Sequence, residues 1–380
     1  MNPFVYGEIA PLAAFVDREA ELDRLVSDLV EGQKIFLISP RRFGKSSLIH
    51  QALRAASRRG VLTVDVTVSS HSSYVAFLEG YARALLSVET RFDQVSAWVR
   101  ELCTTVQPEL RVEADTGGAS RFSVAFPAVR TARDEARLAN EVFELPARIA
   151  NARGRRLAVA LDEFQAIDGF NGGQVEHALR AATQRQREVG YVFAGSEPSL
   201  MERMIGRKRP FYKAGPVVRL GRIPADRFAE FLEARFKQTG FRPEPGLGAA
   251  IVELAGNLPY DVQRLAHETW DDVKAAGRRT VGLDALHATL KRLLTEYDTL
   301  FEQTWQGLTL AQRATLRAAV LEDGRNLLSA DVRARYRLSG ASTVQAALAS
   351  LARHEILMRE GDRYVIVDSL LREWVARTTF

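Results

Sequence analysis

The stretch Lys34-Ile35-Phe36-Leu37-Ile38-Ser39-Pro40-Arg41-Arg42-Phe43-Gly44-Lys45-Ser46-Ser47 decides how the rest of the chain is read. An apolar strand runs into a Gly-Lys-Ser turn, and a helical pattern follows. Such a junction aims several backbone N–H groups, together with the positive end of the helix dipole, at one point, which suits a triphosphate. Ser39, Pro40, Arg41, Arg42, Phe43, Gly44, Lys45, Ser46 and Ser47 are therefore the candidate phosphate cradle. Lys45 is placed to reach the β and γ phosphates and the Ser46 hydroxyl to ligate Mg²⁺. The usual pattern opens with a glycine four intervening residues before the Gly-Lys pair, and here that position is Ser39.

A second motif supports the first. Leu157-Ala158-Val159-Ala160-Leu161-Asp162-Glu163-Phe164-Gln165 is an apolar strand whose end carries two adjacent carboxylates. Ligands of open α/β sheets bind at the carboxyl ends of the strands, and successive strand residues point to opposite sides. One of these acids can then hold the Mg²⁺ shell while the other orients an attacking water. The competing reading is that the pair caps the next helix as solvated N-terminal acids.

Length and composition agree with a multidomain enzyme: 380 residues correspond to about two to three domains, and 46% apolar content is enough to fill cores. The longest apolar runs are far below the roughly 20 residues a membrane span needs, and the N-terminus shows no signal-peptide pattern. The single cysteine, Cys103, cannot form an internal disulfide, and the expected setting is the reducing cytoplasm. The six histidines have no metal-type spacing. The net charge of +5 permits nucleic-acid contact without requiring it. Arginine groups such as Arg41-Arg42, Arg207-Lys208-Arg209 and Arg333-x-Arg335-x-Arg337 either follow phosphates or are solvated loop ends and helix C-termini.

Strand-like and helix-like segments alternate over the first 220 residues, the pattern of a parallel sheet covered by helices. Strands are expected near 34–38, 61–67, 157–161, 190–194 and 217–220. A hairpin over 110–126, turning at Asp115-Thr116-Gly117-Gly118, is expected as an insertion beside the sheet. Helices are expected at 224–239, 246–255, 259–276 and 283–306, with no β-rich run until the far C-terminus. The last segment reads as three helices, Thr309–Glu322, Ser329–Tyr336 and Gly340–His354, followed by two strands around Glu360-Gly361-Asp362. That is a winged helix-turn-helix pattern. Its third helix offers only Ser342, Thr343, Gln345, Ser350 and Arg353 to a groove, fewer Arg, Lys or Asn than a DNA reader usually presents. Both a DNA-reading role and a protein-packing role stay open.

At this point four segments resemble a known family. Phe15-Val16-Asp17-Arg18-Glu19-Ala20-Glu21-Leu22, the Pro-Arg-Arg-Phe-Gly-Lys-Ser-Ser loop, the Leu-Asp-Glu-Phe-Gln strand end and Gly256-Asn257-Leu258-Pro259-Tyr260-Asp261-Val262-Gln263 together look like the archaeal-type ATPases. These are a branch of the P-loop signal-transduction (STAND) ATPases, close to AAA+ proteins such as origin recognition subunits. The resemblance covers nearly the whole chain. It implies an α/β fold: a P-loop NTPase parallel sheet (1–221), an AAA+-like helical lid (222–305) and a C-terminal winged helix (306–380).

For the site, the resemblance gives Lys45 and Ser46 to phosphate and Mg²⁺, Asp162 to the metal and Glu163 to the hydrolytic water. Ser196 resembles the polar sensor of the γ phosphate, or else caps the helix that follows. Phe15, Val16 and Arg18 sit where the family lines the adenine pocket, and Pro259 resembles the lid proline that packs on the base. Arg209 and Lys213 are the candidates for a trans-acting cation. The implied function is an Mg-dependent, ATP-driven switch with a protein partner or self-association and no membrane. Its rivals are a DNA-binding ATPase of replication, transposition or defence and a non-hydrolysing ATP-binding scaffold.

Overall fold

Lys34–Ile38 forms strand β1, and its side chains alternate between two cores. Ile35 and Leu37 face one way with Ala158, Ala160, Val192 and Ala194, and these pack with Leu48, Ile49 and Ala52 of the helix Lys45–Arg58. Phe36 and Ile38 face the other way with Leu157, Val159, Leu161, Tyr191 and Phe193, against Phe77, Tyr81, Val142 and Phe143. Strands apolar on both faces belong to a parallel sheet covered on both sides. In the computed structural model that sheet has five parallel strands, ordered β2 (Leu62–Thr67), β5 (Leu157–Asp162), β6 (Val189–Gly195), β1 and β7 (Val217–Arg219). The structure describes residues 1–380 apart from 12–13, 89–108, 115–119, 127–128, 130, 171–172 and 379–380. Cys103 and the hairpin turn fall outside the described residues.

The strand order has a consequence for the site. β1, which launches the loop 39–44, is separated from the carboxylate-bearing β5 by β6, which ends at Gly195. On β5 the alternation that sends Leu157, Val159 and Leu161 into one core sends Ala158, Ala160 and hence Asp162 toward the face covered by the helix Lys45–Arg58. The expected hairpin is present as β3 (Glu109–Ala114) and β4 (Ser120–Ala125), antiparallel with Glu109 opposite Ala125.

The described chain divides into two compact units, Pro11–Gly221 and Arg222–Phe380 together with Met1–Ala10. The second contains the helices Ala225–Gln238, Leu247–Leu254, Pro259–Ala275 and Leu283–Gln306. Two short strands that the sequence reading left out, β8 (Arg242–Pro243) and β9 (Thr280–Val281), also pair there. Its first ten residues are held by the third of those helices: Asn2 Nδ2 donates to the His267 carbonyl at 3.0 Å and Val5 N to Gln263 Oε1 at 3.2 Å.

The winged helix consists of the helices Leu310–Leu321, Ala330–Arg335 and Ala341–Arg353, then the hairpin β10 (Leu357–Glu360) and β11 (Arg363–Ile366). Thr309 and Ser329 cap its first two helices through their side chains. A closing helix, Ser369–Thr378, completes this unit and was not expected. Its Trp374 lies 6.2 Å from Phe301 and donates to Asp298 at 2.7 Å. Among the described residues no helix is long and apolar enough to cross a membrane.

Candidate functional site

The loop between β1 and its helix turns through left-handed backbone at Arg42 (φ 70°) and Gly44 (φ 85°). Gly44 is the N-cap and makes no side-chain cap bond. Ser39 lies outside the left-handed region. The backbone of this loop therefore does not require the glycine that the usual pattern places there. Ser39 is fully buried, its amide bonded to the Gly195 carbonyl at 3.1 Å, which ties the loop entrance to the end of β6. Phe43 is buried, while Arg41 and Ser46 are exposed.

Lys45, Ser46, Asp162, Glu163 and Ser196 come together. Lys45 is buried and its Nζ donates to Asp162 Oδ1 and, at 3.1 Å, to Glu163 Oε1. Ser46 Oγ donates to Asp162 Oδ2 at 2.8 Å. Glu163 has φ 52° and starts a 3-10 turn, Phe164–Gly169, without a side-chain cap. The capping reading of the acid pair therefore does not describe Glu163, whose carboxylate turns back into the site. Its Oε2 accepts from Ser196 Oγ and from Gln165 Nε2 at 2.6 Å.

Burial alone raises the pKa of the Glu163 carboxyl. The Lys45 charge and the hydrogen bonds from Ser196, Gln165 and Lys45 outweigh it and hold the group below its ordinary range. Glu163 is thus an ionised acceptor at neutral pH. Ser196 does not cap the helix Pro198–Met204, whose N-cap is Glu197; its hydroxyl serves Glu163 instead.

Of the other expected residues, Phe15, Val16 and Arg18 lie in the same unit as this cluster and Pro259 in the second unit. Phe15 is half-buried against the core beneath the phosphate-loop helix, and Val16 is buried. Arg18 is buried too, but its guanidinium is engaged: Nη2 donates to the Gly221 carbonyl at 2.5 Å and Nη1 pairs with Glu21 at 3.0 Å. It pins the point at which the chain leaves this unit rather than offering a charge to a base. Pro259 opens the helix Pro259–Ala275 in the other unit, at a position where a missing N–H costs nothing.

Arg209, a candidate for a trans-acting cation, is engaged within the chain. Its guanidinium pairs within the same unit, with Asp168 at 2.7 Å and with Glu176, whose side chain is fully buried. Releasing it toward a neighbouring molecule would strand a buried carboxylate, which is strongly unfavourable. Lys213, with φ 53°, is exposed.

Two features escaped the sequence reading: the bonding of Gln165 and the Asp168–Glu176–Arg209 cluster. Gln165 had a signal, as an amide inside the otherwise apolar and acidic Leu-Asp-Glu-Phe-Gln run. The cluster had none, because Arg209 is 41 positions from Asp168 and 33 from Glu176, and all three are unremarkable locally.

Residues 15–265 match the family described as "ATPase domain predominantly from Archaea". The chain belongs to this family. Residues 299–377 of this archaeal-type ATPase match a second description, "Probable winged helix domain". No curated protein sequence gives a significant match. Among solved structures, a Walker-type ATPase of Pyrococcus abyssi is 18% identical with a TM-score of 0.61, over 97% of this chain and 99% of that one. The ORC2 protein of Aeropyrum pernix, in ADPNP–ADP complexes, is 13% identical with a TM-score of 0.56, over 99% and 96%. The ORC1 protein of the same organism, in complex with DNA, is 14% identical with a TM-score of 0.52, over 96% and 94%. At these identities the likeness is one of fold.

Proposed function

We propose that this archaeal-type ATPase binds and hydrolyses ATP with Mg²⁺ and works as a cytoplasmic, nucleotide-driven switch. The observation that carries the reading is the convergence of Lys45, Ser46, Asp162 and Glu163 at the carboxyl end of the parallel sheet. A hydroxyl and a carboxylate oxygen held 2.8 Å apart are hard donors of the kind Mg²⁺ accepts, and a site with only two protein oxygens suits an ion completed by phosphates and water. Magnesium, when bound, would neutralise charge on the β and γ phosphates. No group of three or more His, Cys, Asp or Glu able to cage a metal exists among the described residues, in keeping with such a shared site.

The residues then divide the work. The loop amides from Arg42 to Ser46 bind phosphate oxygens, and Lys45 exchanges its two carboxylates for the β and γ oxygens. Asp162 and Ser46 hold the metal. Glu163, freed on one oxygen and ionised at neutral pH, takes the proton of the attacking water, while Ser196 orients Glu163 rather than serving first as a phosphate sensor. Catalysis of this type is positioning plus charge neutralisation. Any trans-acting cation falls to exposed Lys213, given the internal engagement of Arg209.

The deciding experiment measures equilibrium ATP binding and turnover in two variants. Lys45→Ala is expected to lose tight binding, whereas Glu163→Gln is expected to keep binding and lose turnover by on the order of 10²–10⁴-fold. Wild-type hydrolysis in both would end the assignment, and tight binding without turnover in the unsubstituted protein would make it a scaffold.

A second reading adds duplex DNA through the winged helix. It rests on the excess of 11 basic over 8 acidic residues between Gln306 and Phe380, with Arg337 and Arg353 exposed. The third helix presents Ser342, Thr343 and Gln345 to solvent, but Ser350 is occupied by Gln312 at 2.9 Å, so backbone contacts would dominate base reading. DNA affinity that falls steeply with salt and weakens in Arg353→Ala supports this reading; salt-independent or absent affinity rejects it.

A further inference from the structure

Gln165 lies two residues past Glu163, in the 3-10 turn, and only 6% of it is exposed. Its Nε2 donates to Glu163 Oε2 at 2.6 Å and lies 3.3 Å from Ser196 Oγ and 3.4 Å from Glu197 Oε1. Its Oε1 is buried and has no hydrogen-bond partner among the described residues. A buried amide oxygen left unpaired lowers stability, so packing alone would favour an apolar side chain at this position.

The end of β6 is shaped around the same amide. A Cβ on Gly195 would come within 2.8 Å of Gln165 Oε1 and 2.3 Å of Met201 Cγ. Gly195 is outside the left-handed region, so space, not backbone conformation, explains the glycine.

We propose that Gln165 is a positioning residue for ATP hydrolysis, its Nε2 fixing one oxygen of Glu163 and its Oε1 accepting a hydrogen bond from the attacking water. The assignment rests on the ATPase reading above. In the structure Lys45 occupies the other Glu163 oxygen, Oε1, at 3.1 Å. A triphosphate that draws Lys45 away frees Oε1, while Gln165 and Ser196 keep Oε2 in place. Water then has two acceptors, Glu163 Oε1 and Gln165 Oε1, which fix both of its O–H directions and aim its lone pair at the γ phosphorus. As the water oxygen bonds to phosphorus, the bond to the β–γ bridging oxygen breaks with its electron pair leaving on ADP, and the proton passes to Glu163.

The test is Mg·ATP turnover by Gln165→Met, which keeps volume and removes both polar atoms, with Gln165→Leu as a second variant. The expected result is a kcat lower by on the order of 10²-fold, the scale of a misplaced reacting group, with KM and ATP affinity within about twofold of the parent. Thermal unfolding is expected at the same or a higher temperature, because removing the unpaired buried amide oxygen offsets the loss of the Nε2 bond to Glu163, whose Oε2 still accepts from Ser196. In the Glu163→Gln background, Gln165→Met is expected to cause no further loss, since both act on one water. Unchanged kcat in the single variants overturns the proposal. So does a loss shared equally by kcat, KM and unfolding temperature that multiplies with the Glu163→Gln loss, since that is the behaviour of a packing residue. Turnover in the unsubstituted protein, run in parallel, separates the two levels. If it is absent, the ATPase reading falls and this one with it; if it is present and insensitive to Gln165, only this one falls.

Discussion

Two clusters of charge hang on the same short segment after β5, and they treat a buried carboxylate in opposite ways. At Glu163 the surrounding donors more than offset burial, and the group titrates below its ordinary range. At Glu176, fully buried in the helix Gln174–Arg185, burial wins: the pKa is raised, with Asp168 adding to the rise and Arg209 opposing it. The first carboxylate stands on left-handed backbone at φ 52° and accepts from Lys45, Gln165 and Ser196. The second is paired with Arg209, which also gathers Asp168. Ion pairs that look alike therefore have different consequences: under the proposed ATPase reading one set is exchanged for ligand, while the other stays closed.

Substitutions should separate the two clusters, and the largest stability effect is expected where turnover is least involved. Arg209→Met leaves Glu176 without its cation and should cost about 3 kcal/mol in denaturant unfolding, the scale of breaking a buried pair. ATP affinity per folded molecule should be retained. Loss of turnover with unchanged stability would instead return Arg209 to a catalytic role. Gly195→Ala places a Cβ against Met201 and Gln165 and should cost about 1–3 kcal/mol in the same assay. It should also slow turnover, because it displaces the amide that holds Glu163.

Ser196→Ala removes one donor to Glu163. Expected is a fall in kcat of about tenfold, equivalent to about 1.4 kcal/mol, with unfolding shifted by less than about 1 kcal/mol. A change in KM alone would mean that Ser196 meets the nucleotide directly. The smallest effect is one of pH. The folded pKa of Glu176 is raised, so the folded state binds this proton more tightly than the unfolded chain does. Its contribution therefore declines as pH rises from the ordinary value of 4.5 toward the raised one, and Glu176→Gln should flatten that part of the stability profile. An opposite slope, with stability gained over the same window, would contradict the contrast between the clusters.

The phosphate loop and the Leu-Asp-Glu strand end were legible because their chemistry is local: an apolar strand, a Gly-Lys-Ser turn and two acids in chain order fix where the charges emerge. Ser39 looked like a defect only in the pattern, since the left-handed backbone falls on Arg42 and Gly44. Helix periodicity likewise gave the helices after Arg222 and the winged-helix order. The closing helix was missed although Leu370, Leu371, Trp374 and Val375 mark its buried face and Asp368 accepts from the Leu370 and Leu371 amides. Long-range partners left no trace in the sequence. Nothing in Met1–Ala10 says that it binds the helix Pro259–Ala275, nothing in the Lys208-Arg209-Pro210 run says that its arginine turns inward, and the Arg18–Gly221 bond joins residues some two hundred positions apart.

The central claim is that one magnesium-bound triphosphate is shared by Lys45, Ser46 and Asp162. Calorimetric titration of ATP into the protein with and without Mg²⁺ tests it directly, on the parent and on Asp162→Asn. Magnesium is expected to tighten ATP binding in the parent, with most of that gain lost in Asp162→Asn. ATP affinity indifferent to magnesium in the parent, or a magnesium effect of equal size in both proteins, would contradict it.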